Sequence, residues 1–76
     1  MSEHEFGVQR LEELMRLWAL ENSDLVGVST EQLTHKQVQK GRKGRRLTRN
    51  VQDKIAAALS AAADKTYARD ELFNYK

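Results

Sequence analysis

The chain has no cysteine, no proline, few aromatic side chains and no long apolar run. Without cysteine, neither a disulfide nor a thiolate metal site can staple the fold. Stability must then come from a packed core or from a partner. At 76 residues the chain is a single domain, 1–76, in the size range where one core is only marginally sufficient. A homodimer is therefore open, although no feature demands one. The lack of proline favours helices over a turn-rich β architecture. The lack of an apolar run excludes a helix that spans a bilayer, so no membrane partner is expected. Met1-Ser2-Glu3-His4-Glu5 is acidic with no hydrophobic stretch behind it, unlike a secretory or transit peptide, and the expected compartment is the cytoplasm.

Groups for catalysis are equally sparse. His4 and His35 are the only histidines, and neither belongs to a cluster at metal-ligand spacing. Glu12 and Glu13 are adjacent, so a helix points them to different sides and they cannot work as a paired acid and base. Gly41-Arg42-Lys43-Gly44 lacks the Gly-Lys-Ser/Thr ending of a nucleotide phosphate loop. The expectation is a protein that is not an enzyme and carries no cofactor.

What is present is charge, unevenly placed. The net charge is only +2. Residues 1–34 hold two arginines against seven acidic groups, a net −5, whereas residues 35–54 hold eight lysines and arginines against Asp53 alone, a net +7. Such asymmetry points to partners more clearly than the total does.

The hydrophobic pattern reads as an all-α domain, a small bundle of four to five short helices, helix-turn-helix-like. An acidic first helix is expected over residues 5–20, with Val8, Leu11, Leu14, Met15 and Trp18 at the spacing of one buried face. Asn22-Ser23-Asp24 reads as a stop. Leu25-Val26-Gly27-Val28 fits a short strand or an apolar loop. Ser29 to Gln32 and Thr34 to Gln37 each have the form of a capping box, so one or both start short helices. Leu33 and Val38 are the expected buried anchors, and this helical pattern ends near Gly41. Gly41 to Arg46 reads as a turn in which two glycines permit positive φ. Leu47-Thr48 then caps the strongest helix, 49–63, with Val51, Ile55, Ala58, Leu59 and Ala62 on one face. Asp64-Lys65-Thr66 interrupts it. A closing segment, 66–75, brings Tyr67, Leu72, Phe73 and Tyr75 back onto the core.

The basic segment is the candidate working surface. A dense positive field attracts phosphate by releasing counterions condensed on a nucleic acid. Lys40, Arg42, Lys43, Arg45, Arg46 and Arg49 are the candidate phosphate contacts. Lys36, Gln37 and Gln39 are the candidate base contacts, since glutamine suits an adenine edge. Two other readings stand beside this one: a solvated charged face, and pairing of the basic residues with the acidic first helix.

Gly41 or Gly44 with Arg42 and Lys43, then Lys54-Ile55-Ala56-Ala57-Ala58-Leu59 and Leu72-Phe73, resemble the second half of a Cro/C1-type (lambda-repressor-like) helix-turn-helix domain. Gly27-Val28-Ser29 resembles that family's turn between its second and third helices. The resemblance implies that helical residues after Ser29 enter the major groove while the basic turn holds the backbone. The expected function is a small DNA-binding protein, a transcriptional regulator, with DNA favoured over RNA. The alternatives are an RNA- or ribosome-binding protein and a non-enzymatic protein-interaction module.

Overall fold

The computed structural model describes residues 10–30 and 32–73. These form five helices: α1 (Arg10–Leu17), α2 (Asn22–Val28), α3 (His35–Arg42), α4 (Arg49–Ala63) and α5 (Arg69–Leu72). No strand occurs among the described residues. None of these helices is long and apolar enough to cross a membrane. The all-α expectation therefore holds.

Helix α4 is the spine. It packs against α2, α3 and α5, and α1 closes the other side against α3 and α5. Its N-cap is Thr48, whose hydroxyl accepts from the Val51 N–H at 3.3 Å. Ile55, Ala56, Ala58, Leu59 and Ala63 are buried along its inner face. It stops at Asp64, which takes the left-handed conformation at φ 54°, and the Lys65 N–H closes onto the Ser60 carbonyl at 3.1 Å. Replacing Thr48 by alanine removes the side-chain acceptor that caps this helix. Thr48→Ala is expected to cost about 1 kcal/mol, read as a lower urea midpoint.

Helix α1 buries Leu11, Leu14 and Met15 as the spacing predicts. Residues 5–9, including Val8, lie outside the described residues. At its other end α1 stops at Leu17, short of 20. Ala19 turns left-handed at φ 54°, and the Leu20 N–H reaches back to the Met15 carbonyl at 2.8 Å. Trp18 consequently leaves the helical register and is 41% exposed rather than in the core. Its indole N–H donates to the Tyr67 hydroxyl at 3.0 Å, tying the end of α1 to the connection after α4.

The stretch Leu25 to Val28 is neither strand nor loop: it is the body of α2. Asn22-Ser23-Asp24 both follows the stop of α1 and forms the first turn of α2. The Glu21 N–H donates to Asp24 Oδ2 at 2.7 Å, satisfying a donor that a helix start leaves free. Leu25 is fully buried in the common core. That packing outweighs the β preference of the valines, which is context-dependent.

Of the two capping-box patterns, only the second starts a helix. Ser29 ends α2, its N–H donating to the Leu25 carbonyl at 3.1 Å. Thr34 starts α3: its hydroxyl accepts from the Gln37 N–H and its own N–H donates to Gln37 Oε1, both at 3.1 Å. Leu33 and Val38 are buried as expected.

Gly41 and Arg42 belong to α3, not to the turn. The turn is Lys43-Gly44, with Gly44 at φ 87°, a conformation that glycine adopts without steric cost. The Arg45 N–H bonds back to the Lys40 carbonyl at 3.0 Å. The closing role of Leu72 and Phe73 holds: both are buried. Arg69 pins α5 to α4 through Asp53 at 2.9 Å. Tyr75 lies outside the described residues.

Candidate nucleic-acid interface

Helix α3 carries Lys36, Lys40 and Arg42 and no acidic residue. At 3.6 residues per turn, Lys36, Lys40 and Lys43 fall within roughly 60° of arc on the side opposite Val38. Val38 and Gly41 bury the inner side. This placement sets a cationic stripe along the outer face of α3. Lys36 is exposed and Lys40 half-exposed, and neither side chain has a polar partner among the described residues. Lys43 is half-exposed at the C-cap and has an interaction within the chain.

Beyond the turn, residues 45–48 run without regular structure into α4. Arg45 and Arg46 are exposed here, each with an interaction inside the chain. Arg49 is exposed in the first turn of α4. Lys54 lies further along that helix, and its Nζ donates to the Gln32 carbonyl at 3.3 Å, bracing the connection between α2 and α3.

Arg42 departs from its expected role. It turns inward, and its Nε donates to Glu12 Oε1 while its Nη1 donates to Asn22 Oδ1 at 2.7 Å. The guanidinium thus joins α1, α2 and α3. The pairing between basic segment and acidic first helix is real for this residue. Arg16 Nε holds the other carboxylate oxygen of Glu12 at 2.6 Å.

Two of the candidate base-contacting residues also have structural work. Gln37 uses Oε1 on the Thr34 N–H. Gln39 is exposed, and its Oε1 accepts from Asn22 Nδ2 at 2.9 Å. Glu12 and Asn22 were not legible as members of the site. Glu12 reads as the outer side of an amphipathic helix and Asn22 as a chain break. The Glu21-x-x-Asp24 spacing is the one local signal that a helix begins at Asn22.

The Arg42 hydrogen bond is the main reason that the Glu12 carboxyl lies below its ordinary value of 4.5; the Arg16 bond and both positive charges add to this, against an opposing effect of burial. A carboxyl whose folded pKa is depressed stabilises the fold above its unfolded pKa, and the contribution disappears as pH falls through the folded value. Glu12→Gln is therefore expected to cost roughly 1–3 kcal/mol at neutral pH. The gap between the two proteins should narrow once pH drops below 4.5. Urea unfolding at a series of pH values measures this, and a gap independent of pH would count against the pairing.

Fold and surface together define an all-α domain, five helices among the described residues, in which α3 carries basic and no acidic side chains. Comparison with protein-family profiles, with characterised proteins and with solved structures finds no match to this chain.

Proposed function

We propose that the chain is a small DNA-binding protein of helix-turn-helix type, a transcriptional regulator that lays α3 against the major groove. The observation carrying this reading is the outer face of α3: the Lys36 and Lys40 side chains stand there with no partner among the described residues and no neighbouring acid on the helix. A cationic face whose charges are not used by the fold is available to phosphates and base edges. The order of elements supports the same reading, since α2, a short connection and α3 follow one another and pack together. The resemblance of Gly41 to Phe73 to a Cro/C1-type domain belongs to this proposal. Under it, the groove-facing helix begins at His35, after its own cap at Thr34, and not directly after Ser29.

Contacts divide by position. Lys36 and Gln39 lie where base edges are reached, with Lys40 and Lys43 beside them. Arg45, Arg46 and Arg49 follow the turn as flanking phosphate contacts. Arg42 acts behind the surface, as a brace.

The test is a fluorescence-anisotropy titration with random-sequence duplex DNA at two salt concentrations. Binding should weaken steeply with salt. Lys40→Ala with Arg49→Ala should weaken binding to every sequence and flatten the slope of log K against log salt by about one for each lost phosphate contact. Equal affinity of the double variant and the parent would reject this surface.

A further inference from the structure

The polar network behind α3 has a direction. Glu12 as a carboxylate only accepts, so the Arg42 guanidinium donates to it. The guanidinium has donors alone, so its second bond, at 2.7 Å, requires Asn22 to present Oδ1. That fixes the Asn22 amide. Its Nδ2 carries only donors and faces Gln39 at 2.9 Å, so Gln39 must answer with Oε1. Each step follows from the one before, beginning at a charge.

Gln39 is exposed, and this relay turns its carbonyl toward α2. Its Nε2 is left without a partner among the described residues. Bidentate recognition of adenine needs both halves of the amide, the carbonyl for N6 and the nitrogen for N7. Here Oε1 already accepts from Asn22, and Nε2 is the half of the amide with no partner among the described residues. Lys36 and Lys40, on the same helix, are donors only. Guanine is the base that shows two acceptors, N7 and O6, and no donor in the major groove.

We infer that the Glu12–Arg42–Asn22–Gln39 relay sets the base preference of α3, so that Gln39 with Lys36 and Lys40 reads acceptor edges in duplex DNA, guanine above all. This rests on the DNA-binding reading and deepens it. It replaces adenine, the base that glutamine would suit if its amide were free. Asn22 and Arg42 are then positioning residues that act through Gln39.

The experiment is selection from random duplexes by the parent and by Asn22→Asp. The new carboxylate accepts from Arg42 and also from Gln39 Nε2, so the glutamine turns its carbonyl outward. A negative charge in the first turn of α2 suits a helix start, and the variant should fold; circular dichroism checks this. The parent should select guanine. Placing 7-deazaguanine at the selected position should weaken binding about tenfold. Asn22→Asp should move the preference at that position to adenine or cytosine, which offer a donor. Gln39→Lys, donor only, should keep guanine.

The same preference in parent and Asn22→Asp, or loss of the guanine preference in Gln39→Lys, would overturn the inference while leaving DNA binding intact. No binding of the parent to any duplex would overturn the DNA reading and this inference with it.

Discussion

Leu25→Ala should destabilise the domain by roughly 2–5 kcal/mol, the range for truncating a buried leucine whose surroundings cannot collapse. Leu25 has no exposed surface and is the single buried residue of α2. No neighbouring side chain on that helix can substitute for it, because Val26 is only partly buried and Val28 is 42% exposed. A domain of this length holds on the order of 4–11 kcal/mol in total, so the loss is a large fraction of all there is. The effect should also reach the candidate interface. Helix α2 packs against both α3 and α4, and it carries Asn22, the link between Arg42 and Gln39. Urea unfolding followed by the fluorescence of Trp18, the sole tryptophan, measures the change. A midpoint within error of the parent would mean that α2 is not anchored through this side chain.

Gly41→Val should destabilise by about 1–3 kcal/mol or more through overpacking, even though leaving glycine inside a helix ordinarily favours substitution. Gly41 lies inside α3 and is buried. A Cβ at this position would lie 3.1 Å from Leu47 Cδ1, 3.2 Å from Leu11 Cδ2 and 3.3 Å from Phe73 Cε1. Those side chains come from α1, the segment before α4 and the end of α5, and all three are core residues. An alanine would require each to yield a few tenths of an ångström. Valine adds two further methyl groups where the Cβ alone is already tight. Gly27 is the control: nothing lies within 4 Å of its Cβ position, so Gly27→Ala should be neutral or mildly stabilising by the helix preference of alanine. A valine at 41 that left the thermal midpoint unchanged would contradict the close approach of α3 to these three groups.

The two glycines of the basic segment show how a sequence can be read correctly for one and wrongly for the other. Both were expected to serve a turn. Gly44 does, at φ 87°. Gly41 is there because α3 must come close to Leu11, Leu47 and Phe73, which are far apart in sequence. Nothing near position 41 announces those neighbours. The same holds for Arg42, whose local company is cationic and whose partner, Glu12, is 30 residues away. Trp18 is the converse case. Its spacing from Leu11, Leu14 and Met15 marks it as core, but the left-handed Ala19 and the early end of α1 turn it outward onto Tyr67.

The sequence by itself determined the all-α class, helix α4 with its cap at Thr48, Thr34 as one of two candidate helix starts, the burial of Leu33, Val38, Ile55, Leu59, Leu72 and Phe73, and the concentration of positive charge after residue 35. These rest on local physics: helical periodicity, capping within four residues, and net charge along the chain. Only the tertiary structure decided that Leu25 to Val28 is helical, that Arg42 faces inward while Lys36 and Lys40 face outward, and that Asn22 orients Gln39. Each of those depends on groups brought together from different helices, and a side chain's direction is set by the neighbour that buries or bonds it, not by the residues beside it in the chain.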